Sequence, residues 1–178
     1  MKEDPKSNII LVGFMGTGKS AAAKIVALRL ERKIIDMDRT IEDRAGKKIS
    51  DIFAQDGERH FRALERALVQ ELAGHRNLVI AAGGGVVIDP NNIADFRRTG
   101  VVVCLKATPS TILKRVLHEF HRPLLEGADK AQNILDLLEV RRPLYDALPF
   151  QIDTSYLSPE ATADRILEIY EEVRPEAD

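Results

Sequence analysis

Apolar positions along this chain alternate between short unbroken runs and longer, gapped stripes. Asn8 to Phe14 is nearly continuous in apolar character, as for a strand buried on both faces. Similar runs occupy 33–37, 78–82, 101–106 and 150–153. Between them the spacing becomes that of a helix. Phe61, Leu64, Leu68 and Leu72 fall on one helical face, and so do Ile166, Ile169, Tyr170 and Val173. Asp89-Pro90, Thr108-Pro109 and Ser158-Pro159 each set a capping side chain before a proline, which predicts helix starts. Strands alternating with helices predict βαβ units, that is, a mainly parallel sheet with helices on both faces. No repeat and no linker divides the chain.

A length of 178 residues suits one domain, expected over 7–174, with 1–6 and 175–178 as flexible ends. The net charge of −2 offers no basic field for a polyphosphate backbone, so nucleic acid is not an expected partner. No apolar run is long enough to span a membrane, and the polar start Met1-Lys2-Glu3-Asp4 lacks the form of a signal peptide. The lone Cys104 precludes an internal disulfide and reads as a small core residue of a buried strand. A cytoplasmic monomer is the expectation.

Chemistry enters with Gly13-Phe14-Met15-Gly16-Thr17-Gly18-Lys19-Ser20, which fits the phosphate-loop pattern G-x-x-x-x-G-K-[ST]. The motif follows a predicted strand and opens an Ala-rich helix over 19–30. Such a loop turns its amide N–H groups toward phosphate oxygens, and the helix N-terminus adds partial positive charge. Lys19 is placed for the β- and γ-phosphates and Ser20 for Mg²⁺. The expected ATP contacts are Gly13, Met15, Gly16, Thr17, Gly18, Lys19, Ser20 and Ala21. This one element supports nucleotide binding but does not by itself give the reaction.

Many phosphate-loop hydrolases carry an acid at the end of a second buried strand. Here the run 78–82 leads instead into Gly83-Gly84-Gly85, and the run 101–106 ends without an acid. Asp36 and Asp38 are the alternative supply. They end the second predicted strand, taken to lie beside the first, and residues two apart on a strand face the same way. One carboxylate would serve Mg²⁺ through water, and the other would orient or deprotonate an acceptor hydroxyl. The plainer alternative is that Asp38 caps a helix from Arg39 and Asp36 is merely solvated. Arg141 falls on the apolar face marked by Ile134, Leu137, Leu138, Leu144 and Tyr145, so its guanidinium needs an anionic partner, internal or bound. Glu58 and Arg62 stand i, i+4, the spacing of a simple surface pair. His118-Glu119-Phe120-His121 fails the H-E-x-x-H zinc pattern, because the fifth position is Arg122.

Taken in order, the phosphate loop at 13–20, Asp36-Met37-Asp38, Gly57-Glu58-Arg59-His60-Phe61-Arg62-Ala63-Leu64-Glu65, Gly83-Gly84-Gly85, Arg122-Pro123-Leu124-Leu125 and Arg141-Arg142-Pro143-Leu144-Tyr145 resemble the shikimate kinases from about residue 8 to about residue 172. The resemblance implies the fold of the nucleoside monophosphate kinases, a three-layer α/β/α P-loop kinase with a five-stranded parallel sheet, a substrate-binding segment over 36–64 and a mobile lid over 116–128. It implies ATP- and Mg²⁺-dependent phosphorylation of the shikimate 3-hydroxyl, in chorismate and aromatic amino acid biosynthesis. By that resemblance Arg62 and Arg141 bind the substrate carboxylate, with Arg141 selected over Arg142. Asp38 and Gly83, Gly84 and Gly85 meet the hydroxyls, and Ser20 and Asp36 serve the metal. Lys19, Asp38 and Arg122 form the catalytic set, with Arg122 entering on lid closure. Arg115 packs on adenine, and Thr154 belongs to the adenine loop. One departure is Ala82, where the family usually has Thr before the glycine triplet. The rivals are another small-metabolite or nucleotide kinase on this fold and a non-catalytic nucleotide-binding module.

Overall fold

The computed structural model of the chain describes residues 7–117 and 129–173. Five strands form one all-parallel sheet: β1 (Asn8–Val12), β2 (Lys33–Asp36), β3 (Leu78–Ala81), β4 (Gly100–Lys106) and β5 (Gln151–Asp153). Their spatial order is β2-β3-β1-β4-β5. Each sequence run predicted as a strand is one, and the three-layer parallel architecture is borne out. One detail is corrected. β2 lies at the sheet edge and pairs with β3, with Ile35 opposite Ile80, so it does not adjoin β1.

The central strand explains the layers. Ile9 and Leu11 point to one face and pack with Ala22, Val26, Ile166 and Tyr170. Ile10 and Val12 point to the other and pack with Leu68, Phe96, Ile112 and Ile134. The first face is covered by α1 (Lys19–Arg29) and α8 (Pro159–Val173), the second by α4 (Glu58–Leu72), α5 (Pro90–Arg97), α6 (Pro109–Val116) and α7 (Lys130–Asp146). Asn8, fully buried, ties the strand starts: its side chain donates to His75 O at 2.9 Å and accepts from Leu78 N at 2.9 Å.

The predicted helix starts hold. Asp89 accepts from Asn91 N, Thr108 from Thr111 N and Ser158 from Ala161 N. Two short helices, α2 (Met37–Ala45) and α3 (Ile49–Asp56), fill the stretch between β2 and α4. Glu42 joins them, accepting from Ile49 N at 3.0 Å. Pro143 lies inside α7, and the helix runs on to Asp146. Leu144 is 40% exposed and so falls off the apolar face expected for it. Because every strand runs the same way, the segments after β1, β2, β3 and β5 all emerge at one edge of the sheet, where α/β folds bind ligands.

Candidate active site

The phosphate loop follows β1 directly. Gly13 has φ 143°, and a Cβ there would stand 2.2 Å from Leu105 O, so only glycine lets the loop lie this close to β4. Gly18 caps α1 without any side-chain hydrogen bond, and the first turn holds no acid. The amides that open α1 therefore remain available to an anion. Lys19 Nζ donates to the carbonyls of Gly13 at 2.7 Å and Phe14 at 2.9 Å, which holds the ammonium over the loop.

Asp36 is the helix cap, and this corrects both readings of the acidic pair. Its Oδ1 accepts from Arg39 N at 3.2 Å, while its Oδ2 accepts from Ser20 Oγ at 3.0 Å. The strand stops at Asp36, so Asp38 stands in the first turn of α2 rather than two along a strand. Met37, between them, is wholly enclosed in the core. Both aspartates nevertheless line one cavity.

The glycine triplet passes close to charged side chains. A Cβ built on Gly83 would stand 2.8 Å from Asp38 Oδ1 and 3.2 Å from Glu65 Oε2, and one on Gly85 would stand 2.3 Å from Arg62 Nη1. Side chains there would displace these groups. Gly84 lies between the phosphate loop and Arg141, its Cβ position 3.6 Å from Met15 N and 3.7 Å from Arg141 Nη1.

Arg62 pairs with Glu58 at 3.3 Å and with Glu65 at 2.9 Å. Its Nε is buried and has no hydrogen-bond partner among the described residues. Glu65 is the residue that sequence reasoning missed. It is only 2% exposed and sits at i+4 from Phe61 on the buried stripe of α4. Burial raises its pKa above the ordinary value, and the pairing with Arg62 offsets this only in part. Arg141 is 4% exposed, as its place on the apolar face requires, whereas Arg142 is exposed and pairs with Glu139. Arg141 forms no ion pair with any described carboxylate. A buried guanidinium so placed favours an anionic ligand.

A third group closes the nucleotide side. Arg115 Nη1 donates to Gly16 O and Thr154 Oγ1, both at 3.1 Å, and its Nη2 donates to Thr154 O at 2.9 Å. Thr154 Oγ1 also contacts Thr17 O at 2.9 Å. Arg115 and Thr154 thus meet at the phosphate loop, although 39 residues separate them. Arg122 and the predicted lid beyond residue 117 lie outside the described residues, as do His118 and His121. Cys104 is enclosed in the core, and burial pushes its thiol up to about 11, so it is no nucleophile.

The cavity has a volume of about 1080 Å³ and joins Gly16, Gly18, Lys19, Asp36, Asp38, Arg62, Gly83–Gly85 and Arg141. Its apolar wall is Ile49, Phe53 and Phe61, with the two rings 4.9 Å apart. α3, which brings Ile49 and Phe53, was not expected as a separate element. The site thus combines an anion cradle, a hydroxyl–carboxylate pair, a further carboxylate and two arginines.

Comparison with known proteins agrees with that arrangement. A family model described as shikimate kinase matches residues 15–171. The shikimate kinase of Pelotomaculum thermopropionicum is 42% identical over 165 residues, 93% of this chain and 96% of that protein. The shikimate kinase of Desulforudis audaxviator is 46% identical over 165 residues, covering 93% of this chain and 87% of that protein. The solved structure of shikimate kinase from Acinetobacter baumannii in complex with shikimate superposes with a TM-score of 0.88 at 34% identity, over 94% of both chains. The chain belongs to the shikimate kinase family, whose members are phosphotransferases with an alcohol acceptor.

Proposed function

We propose that this protein transfers the γ-phosphoryl group of ATP to the 3-hydroxyl of shikimate, yielding shikimate 3-phosphate and ADP. One observation carries the reading: the phosphate loop, Asp38, Arg62 and Arg141 line a single cavity. An acid that also bears a hydroxyl fits the far half, because two guanidiniums suit a carboxylate and a half-buried aspartate suits an alcohol.

Mg²⁺ takes few protein ligands and keeps several waters. The Ser20 hydroxyl and Asp36 carboxylate, 3.0 Å apart, fit that habit, and no cluster of three or more His, Cys, Asp or Glu occurs among the described residues. When bound, the ion neutralises charge on the phosphate oxygens. The protein's own groups do the rest. Amides of the loop and of α1 hold the phosphates, and Lys19 exchanges the Gly13 and Phe14 carbonyls for them. Arg62 and Arg141 grip the acceptor carboxylate. Asp38 accepts a hydrogen bond from the 3-hydroxyl, which aims its oxygen at the γ-phosphorus. As that O–P bond forms, the bond to the β,γ-bridging oxygen breaks and the hydroxyl proton passes to Asp38. Arg122 is assigned to the transferring group, and Arg115 and Thr154 to the adenine side. Catalysis is mainly positioning and electrostatics. Among the described residues no helix is long and apolar enough to cross a membrane. A cytoplasmic monomer remains the proposal, on the sequence expectations: a single cysteine and a polar start.

A coupled ADP-release assay with competing acceptors tests the reading. Shikimate is expected to support turnover far above quinate, gluconate or nucleoside monophosphates. Equal or better turnover with any of those would contradict it.

A further inference from the structure

Tyr145 is a buried side chain that the mechanism above does not use. It lies on α7 one turn after Arg141, on the same face, and is only 3% exposed. Its hydroxyl donates to Gly84 O at 2.5 Å across 61 residues of sequence. The Arg141 guanidinium lies beside the same glycine: a Cβ built on Gly84 would stand 3.7 Å from Arg141 Nη1. Its ring meets Phe14 of the phosphate loop edge-on, with centroids 6.5 Å apart and planes at 81°. One phenol thus bonds the glycine triplet and packs on the phosphate loop, at the glycine that the buried arginine also approaches.

We infer that Tyr145 is a positioning residue for the acceptor: its hydroxyl fixes both the Arg141 guanidinium and the Gly84–Gly85 peptide before the acid arrives. The Gly84–Gly85 peptide is planar and trans, so drawing Gly84 O toward Tyr145 turns the Gly85 N–H the opposite way. Gly85 in turn abuts the Arg62 guanidinium. A residue with no Cβ has many orientations to lose, and a hydrogen bond formed on folding meets that entropic cost before the acid binds. A long arginine side chain gains likewise from a neutral oxygen that orients it without consuming its charge. Burial pushes the phenol up to about 12, so it stays protonated and able to donate at any ordinary pH.

The inference rests on the shikimate reading, and Tyr145→Phe separates the two. That variant removes one oxygen and keeps the ring against Phe14. The KM for shikimate is expected to rise roughly tenfold, with the KM for ATP within about twofold of wild type, as for loss of one buried hydrogen bond. Unchanged shikimate kinetics, parallel changes for both substrates, or failure to fold would overturn the positioning role. If wild-type protein itself does not use shikimate, the functional reading fails, and crystal structures of the ligand-free pair still decide the inference. A displaced Arg141 guanidinium or a rotated Gly84–Gly85 peptide in Tyr145→Phe supports it. Identical positions for both in the two structures refute it.

Discussion

The two halves of the cavity are built by opposite means. The nucleotide half is a contiguous stretch, residues 13–20, whose main chemistry is backbone amide and helix terminus. The acceptor half draws single side chains from α2, α4 and α7 and a glycine loop after β3. Backbone cradles tolerate change at most side chains, because the peptide supplies the contacts. A half made of separately delivered charges depends on each one and on what holds it in place. Perturbations should therefore divide by half, except at the lysine that touches the transferring group.

That lysine gives the largest expected effect. Lys19→Met should lower kcat at least about a thousandfold, as when a charge-stabilising group at a reacting centre is lost, with circular dichroism unchanged. Wild-type rates would break the account of the nucleotide half. Arg141→Ala comes next. Removing a buried cation that meets a carboxylate should cut kcat/KM for shikimate about a hundredfold or more and leave the KM for ATP nearly unchanged. Equal losses for both substrates would dissolve the division between halves. Arg115→Ala probes the opposite side. It removes the hydrogen bonds that join Gly16 to Thr154, so the KM for ATP should rise roughly fivefold to tenfold with little change for shikimate.

The smallest effect concerns pH. Burial lifts the folded-state pKa of Glu65 above its ordinary 4.5. The folded protein then keeps a proton over a window in which the unfolded chain has released it. The resulting stability is fully present below about pH 4.5, the unfolded value, and is lost as pH rises through the folded value. Glu65→Gln carries no such titration. The melting temperature of wild type minus that of the variant should therefore fall as pH rises through this window. A flat difference would mean that Glu65 is better solvated than its burial implies.

The sequence makes the nucleotide half legible for a physical reason. A phosphate loop is local: strand, glycine turn and helix follow one another, and each leaves its own pattern. The five strands were legible for the same reason, as apolar runs bounded by breaks. Non-local facts were not. The place of β2 at the edge depends on which strand it pairs with, and Lys33–Asp36 does not encode that choice. Asp36 and Asp38 reach the cavity, but through a helix cap and a first turn, with the buried Met37 between them. Arg141 was visible as a charge on an apolar face. The same signal was present at Glu65, which stands on the buried stripe with Phe61, Leu68 and Leu72. Tyr145 read as ordinary core, because nothing in α7 reveals that its hydroxyl meets a carbonyl 61 residues away.

A crystal structure with ADP and shikimate bound together tests the meeting of the halves most directly. The account predicts ADP in the 13–20 loop, the acid's carboxylate between Arg62 and Arg141, and its 3-hydroxyl against Asp38, facing the end of the diphosphate. Shikimate seated elsewhere, or with its carboxylate turned away from both arginines, would contradict it.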